Sequence, residues 1–385
     1  MTVFISAGEA SGDAYGAALV SELRRLSAGQ IDIEVLAIGG KRLASVCDEL
    51  LADTSKWGAI SVSETLKIVP RVLSKSPSIA MRLRRPGNTA ALAIPIDFGF
   101  FNVRFAKYAK RCGWKVLAFV PPGSWRRNRQ ASWAPTIYDG VSTPFSWSAE
   151  ILTRMGTPNV HWFGHPLKQL LRDRIAAAGQ VARSNQIALM PGSRNHELKL
   201  NLPLMASSLP DVPGEFALAA GTDQAAFLRR WKALAPNRND RVTVGDSASV
   251  LLRSRAAIVC SGTATLEAAL CGCPMTVVYA TSRAMHLEMK LLRLKRPKYV
   301  ALPNILLDRM LVEEFVGYDA LPENVRPNLE GLLEDGPVRQ AQLDGFAELA
   351  AELGPDDAIT QTARLALEML GETVPPPEGR SVPRP

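Results

Sequence analysis

The first half of the chain alternates short apolar runs with longer stretches in which apolar residues recur at helical spacing. Val3 to Ala7, Ile33 to Ile38, Ala91 to Ile96 and Trp114 to Val120 have strand length and little polar alternation, and Tyr15 to Leu26 carries the helical period between two of them. Near-continuous apolarity implies strands covered on both faces, so the pattern predicts a parallel sheet with helices on each side. From His165 to Arg183 the chain turns polar and alanine-rich. A second series then opens with Gln186 to Met190 and continues through Phe216 to Ala220, Arg241 to Val244, Ala256 to Cys260 and Met275 to Tyr279.

Two such series in 385 residues predict an α/β chain of two domains with a cleft between them. The pattern places the first domain at 1–170 and the second at 171–345. The helical stretch near Val338 to Leu370 is expected to pack back across the boundary through its end, 346–371. The proline-rich tail 372–385 is expected to be disordered.

No run reaches the ~20 apolar residues that span a bilayer. The start, Met-Thr-Val-Phe-Ile-Ser-Ala-Gly, lacks the features of a secretion signal and reads as a first strand, so the expected location is the cytoplasm. Five cysteines without metal-type spacing read as reduced thiols. Charge is uneven. Thr65 to Tyr138 holds fourteen Lys and Arg and one acid, Asp97, a net +13 that leaves −5 for the remainder of a chain totalling +8. A patch of that sign calls for an anionic partner.

Several turns at strand ends carry candidate chemistry. Ser261-Gly262-Thr263-Ala264-Thr265-Leu266-Glu267 follows an apolar strand and opens a helix, which leaves backbone N–H groups at the positive end of the helix dipole, where a diphosphate can sit. Glu267 then fits either a ribose-hydroxyl ligand or a carboxylate favoured by the dipole. Met190-Pro191-Gly192-Ser193-Arg194 repeats the arrangement. Its arginine fits a bidentate diphosphate clamp, or the whole run is ordinary turn chemistry. Gly8-Glu9-Ala10-Ser11-Gly12-Asp13 lacks dinucleotide-binding glycine spacing; Glu9 and Ser11 could meet substrate there, and Asp13 fits the cap of the helix that follows.

Asp97 ends a buried run, where open α/β sheets place their ligands, and fits either a general base or an ion-pair partner of the surrounding cations. Lys67, Arg71 and Lys75 recur at helical spacing beside aliphatic residues, as do Arg283, His286, Lys290 and Arg293. Each set fits an interfacial helix on anionic lipid or a solvated helix face. His165 at the junction could touch substrate or serve as a hydrogen-bonded hinge residue.

Taken in order, these stretches resemble the lipid-A-disaccharide synthase family, inverting transferases of two Rossmann-like domains in the GT-B arrangement. The resemblance rests on Ala7 to Asp13, Gly58 to Glu64, Ile96-Asp97 with Phe101-Asn102, Gly164 to Leu167, Pro191 to Arg194, Ser261 to Leu270 and Tyr299 to Asn304. It implies transfer of acylated glucosamine from UDP-2,3-diacylglucosamine to the 6-hydroxyl of 2,3-diacylglucosamine 1-phosphate, with release of UDP. No metal or other cofactor is implied. Asp97 would be the base. Arg194, Ser193, Gly192, Ser261, Gly262, Thr263, Glu267 and Asn304 would form the donor side, and Gly8, Glu9, Ser11 and Asn102 the acceptor side.

The segment after Gly58 would meet an anionic membrane surface, peripherally, on the cytoplasmic face of the inner membrane. Nucleic acid is not an expected partner, because the basic stretch is mixed with aliphatic residues and contains no recognised nucleic-acid module. The chain departs from the family's Ile-Asp-Ala-Pro-Asp-Phe-Asn at Phe98, Gly99 and Phe100. It departs from Trp-Ala-Trp-Arg at Arg126, Arg127 and Asn128, and has Gly317 after Glu314-Phe315 where glutamine is usual. A transferase with another acceptor, a UDP-sugar epimerase, or a non-catalytic UDP- or lipid-binding descendant would share the donor-side features.

Overall fold

The computed structural model describes residues 1–27, 31–54, 76–84, 90–128, 130–179, 183–220, 222–282, 285 and 297–372, without the side chain of Phe100. Gly58 to Glu64, Lys67, Arg71, Lys75, Arg283, His286, Lys290, Arg293 and the tail from residue 373 lie outside them. The chain forms two compact units, Met1–Pro166 with the segment from Asp357 onward, and Leu167–Asp356.

The first unit is built on a parallel sheet of seven strands: β1 (Thr2–Ala7), β2 (Glu34–Gly39), β3 (Glu49–Asp53), β4 (Ala91–Ile96), β5 (Lys115–Phe119), β6 (Gly140–Thr143) and β7 (Val160–Trp162). They lie in the order β3-β2-β1-β4-β5-β6-β7, the doubly wound Rossmann arrangement, in which the strand order reverses between β1 and β4. On one face Phe4 packs edge-on against Phe105 and Trp114, and the buried indole of Trp114 donates to Leu83 O at 2.8 Å. The other face takes the helix Ala10–Leu26 and a helix from the far end of the chain, Ala358–Leu370.

That last helix is amphipathic by burial. Ile359, Ala363, Ala366 and Leu367 are almost wholly removed from water, and burial of each large aliphatic among them contributes roughly 1.5–3 kcal/mol. Polar bonds fix its position: Thr362 Oγ1 meets Ser142 Oγ at 2.7 Å, Lys115 Nζ donates to Met369 O at 2.6 Å, and Thr360 donates to Glu22 at 2.8 Å. The stretch expected as one final helix is two. Pro337–Glu352 belongs to the second unit, where Gln342 hydrogen-bonds both N–H and C=O of Met275, and the chain breaks at Leu353 to Asp357 before the returning helix.

The second unit repeats the plan with β8 (Ser184–Met190), β9 (Gly214–Leu218), β10 (Arg241–Val244), β11 (Ser254–Cys260), β12 (Met275–Tyr279) and β13 (Glu314–Val316), all parallel, in the order β10-β9-β8-β11-β12-β13. Its reversal lies between β8 and β11. Phe216, Phe227 and Trp231 pack edge to face in its core, and the buried indole of Trp231 is satisfied by Asp240 at 2.9 Å. Among the described residues, no helix is long and apolar enough to cross a membrane. All five cysteines are free thiols.

Candidate functional site

In the first unit the reversal point brings the ends of β1 and β4 side by side, with Ala7 paired to Ile96. The chain leaves β4 through Asp97, Phe98 and Gly99, all three in the left-handed region at φ of 46°, 56° and 34°. For residues with a Cβ this costs roughly 1–3 kcal/mol each and persists only where surrounding contacts enforce it. Asn102, three residues along in the helix Gly99–Arg111, enforces it. Its amide nitrogen donates to Ile96 O, Asp97 O and Ser6 O, each at 2.9 Å, and its oxygen accepts from Ser6 Oγ at 2.6 Å. Asp97 N in turn donates to Val120 O at 3.1 Å. Phe98 then lies across Gly8, where a Cβ would sit 1.9 Å from its ring. Position 8 must be glycine for that reason.

The carboxyl of Asp97 is pushed up to about 6, first by burial and then by the neighbouring carboxylate of Glu9, against a lowering contribution from the Phe98 N–H. Burial, with the Asp97 charge adding, also raises the phenol of Tyr138. Among the described residues no cation lies within ion-pair distance of Asp97. The ion-pair alternative therefore finds no support there. What remains is a half-buried carboxyl titrating near neutrality, the property required of a general base.

Glu9 is exposed beside this corner, and Ser11 lies partly exposed in the first helical turn. Asp13 does not cap its own helix. Its buried carboxylate accepts from Gly40 N, Arg42 N and Leu43 N, and so caps the helix Lys41–Ala44 beyond β2. Asn102, expected on the acceptor side, is 1% exposed, with both ends of its amide committed to the strand ends. Its amide holds the turn that carries Asp97. His165 is buried against Tyr15 and Phe145, and burial pushes it down to about 3, so it stays neutral.

The corresponding corner of the second unit pairs Met190 with Val259. Here the two turns differ. After β8, Gly192 (φ 107°) and Ser193 wrap around the carboxylate of Glu197, which accepts from Ser193 N at 2.8 Å, from Arg194 N at 3.0 Å and from the Arg194 guanidinium at 2.6 Å. A Cβ at Gly192 would lie 2.4 Å from a Glu197 oxygen. The Ser193 and Arg194 N–H groups expected to face a phosphate are thus already occupied by a side-chain anion. Buried Asn201 anchors the same turn, donating to Pro191 O at 2.9 Å and accepting from Ala280 N at 3.0 Å.

The turn after β11 is open. Gly262 is exposed at φ 140°, and among the described residues the N–H groups of Gly262, Thr263 and Ala264, at the start of the helix Thr263–Leu270, have no hydrogen-bond acceptor. Ser261 Oγ donates to Val300 O at 2.8 Å and Thr265 Oγ1 accepts from Leu302 N at 3.1 Å, which ties this turn to the loop before the helix Leu302–Leu307. Glu267, one turn along, accepts from Ser247 Oγ at 2.6 Å.

Asn304 corrects another expectation. It is fully buried, donating to Val312 O and Glu314 Oε1 and accepting from Leu311 N and Val312 N, while Glu314 holds the N–H groups of Val300 and Ala301. It shapes the loop that Ser261 bonds and leaves no atom for a ligand. Glu197, Asn201, Glu314 and Tyr138 were not singled out from the sequence. Only Glu197 had a local signal, a carboxylate three residues after a Gly-Ser-Arg turn, as in a capping box. Among the described residues, no group of three or more His, Cys, Asp and Glu is placed to hold a metal ion.

The sequence model of the family described as Lipid-A-disaccharide synthetase matches residues 3–359. This chain belongs to that family. It is accordingly a glycosyltransferase. Lipid-A-disaccharide synthase of Acidobacterium capsulatum is 30% identical over 96% of each chain, and that of Anaeromyxobacter sp. strain K is 33% identical over 96% of this chain and 97% of the relative. Among solved structures, a putative UDP-N-acetylglucosamine 2-epimerase from Listeria monocytogenes superposes with a TM-score of 0.62 at 14% identity over 99% of both chains. MurG of Acinetobacter baumannii gives 0.54 at 15% over 95% of this chain and 99% of its own. At such identities these likenesses show the fold: two Rossmann-like domains of GT-B type.

Proposed function

We propose that the chain transfers the acylated glucosamine of UDP-2,3-diacylglucosamine to the 6-hydroxyl of 2,3-diacylglucosamine 1-phosphate, inverting the anomeric centre and releasing UDP. The observation that carries this reading is the carboxyl of Asp97, without an ion-pair partner among the described residues, fixed in a strained turn by Asn102 and raised to about 6. In the reaction Asp97 takes the proton of the acceptor hydroxyl as its oxygen attacks the anomeric carbon, and the bond to UDP breaks with its electron pair on the departing diphosphate.

The open N–H groups of Gly262, Thr263 and Ala264, at the positive end of their helix, suit that charge. Arg194 supplies a guanidinium to the diphosphate oxygens, with Glu197 holding its turn in place. Glu267 accepts from ribose hydroxyls, sharing its carboxylate with Ser247. The acyl chains of both substrates and the cations of the stretch 65–138 support a location on anionic lipid at the cytoplasmic face of the inner membrane.

Incubation of the chain with the two acylated sugars and chromatography of the products tests the proposal. Disaccharide 1-phosphate and UDP should appear in equal amounts, and Asp97→Asn should slow turnover by about 10²–10⁴-fold. No disaccharide from the wild type, or an undiminished rate in the variant, refutes it. Flotation on vesicles with and without anionic lipid at two salt concentrations tests the location; equal recovery on both vesicle types would remove the membrane assignment.

A further inference from the structure

Beyond β5 the first unit contains a cavity of about 450 Å³ that none of the residues placed above at the two strand-end corners lines. Its walls are Pro122, Gly123, Arg126, Gln130, Ser132 and Trp133, and its size is within the usual range for small-molecule sites. No carboxylate is among its lining residues. Three hydrogen bonds hold the turn that forms it: Ser124 N donates to Pro121 O at 3.2 Å, Arg126 N to Gly123 O at 3.0 Å, and the buried amide of Gln130 to Arg126 O at 3.0 Å. The two consecutive arginines here have different settings. Arg127 stacks 4.0 Å over the ring of Trp147, and Arg126 lies more loosely, 5.2 Å from the centre of the Trp125 ring, and also lines the cavity.

Two contacts tie this cavity to Asp97. Val120, whose carbonyl accepts from Asp97 N, stands two residues before the wall residue Pro122 and is itself held at φ 52°. On the other side Trp133 packs edge-on against Tyr138 at 5.7 Å, and Tyr138 is the phenol that feels the Asp97 charge.

We propose that this cavity holds the sugar-phosphate head of the acceptor, with the Arg126 guanidinium on its phosphomonoester, Ser132 as a second donor and Trp133 as the apolar wall beside the ring. The assignment to the acceptor rests on the function proposed above. A fork of N–H donors meeting a dianionic phosphate is a strong pairing, and its loss costs tenfold or more in affinity.

Calorimetric titration of the full chain with glucosamine 1-phosphate, glucosamine and inorganic phosphate tests the binding without turnover. The sugar phosphate should bind at least tenfold more tightly than either fragment, Arg126→Met should lose at least tenfold of that affinity, Arg126→Lys should recover part of it, and UDP affinity should stay unchanged. Unaltered binding in Arg126→Met, no binding by the wild type, or inorganic phosphate binding as tightly as the sugar phosphate overturns the proposal. With acylated substrates, Arg126→Met should raise the acceptor KM about tenfold, with kcat and donor KM within twofold. An unmoved acceptor KM also overturns it. Arg126-dependent binding without any disaccharide product would instead count against the proposed reaction and leave the cavity's ligand standing.

Discussion

Replacement of Asp97 by asparagine should stabilise the fold while removing activity, and the size of the first effect follows from the structure. A carboxyl that titrates at 3.8 in the unfolded chain and at about 6 in the folded one binds its proton more tightly when folded. Its favourable contribution is therefore complete below pH 3.8 and is lost as pH rises through 6, leaving the ionised form a cost of up to about 3 kcal/mol. Asparagine has nearly the same shape and no charge. Asp97→Asn should be more stable than wild type by up to about 3 kcal/mol at pH 8, and the gap should close towards pH 4. Urea unfolding of both proteins at half-unit intervals from pH 4 to 8, with the slope m unchanged between them, measures the gap. The kcat/KM of the wild type should fall tenfold per pH unit below about 6, since the base must be ionised to act. A stability difference that is flat between pH 4 and 8 refutes the reasoning, because it would mean that Asp97 does not titrate as its surroundings imply.

Three further outcomes follow from the turns. Gly8→Ala places a methyl 1.9 Å from the ring of Phe98 and should destabilise the chain by about 2–4 kcal/mol; the double variant with Phe98→Ala should recover at least half, and thermal melts of the three proteins decide it. Asn304→Ala should cost about 2–5 kcal/mol in urea unfolding, because it orphans buried N–H and C=O groups of Leu311 and Val312; a raised donor KM at unchanged stability would instead restore it as a ligand. Glu197→Ala frees the N–H groups of Ser193 and Arg194 and should loosen UDP binding by roughly tenfold through disorder of Arg194, measured by calorimetry; unchanged affinity would show that the turn needs no anchor.

The period of the sequence by itself determined the α/β class and most of the sheet. Strands in the sheet interiors, such as β1, β4, β8 and β11, are covered on both faces and so must be apolar throughout, which is a local property of the residues. Glu49–Asp53, Gly140–Thr143, Val160–Trp162 and Glu314–Val316 left no such trace: the last three have only three or four residues, Glu49–Asp53 begins and ends on acids, and all but Gly140–Thr143 lie at a sheet edge where one neighbour is missing. Motif spacing also located the two corners where the strand order reverses, since a small-residue turn after a buried strand is again a local requirement.

What each residue does at those corners was decided by tertiary structure. An asparagine can donate and accept at once, which suits a ligand and a buried staple equally, and only the approach of β1 to β4 and of Leu311 and Val312 to Asn304 makes Asn102 and Asn304 staples. The Ser193 and Arg194 N–H groups and those at Gly262 to Ala264 look alike in sequence, yet Glu197 fills the first set and no hydrogen-bond acceptor within the described residues fills the second. The same holds for Asp97. Its charge was legible as the one acid in a basic stretch, but its raised pKa comes from burial and from Glu9, 88 positions away in sequence and adjacent only because the sheet folds in this order.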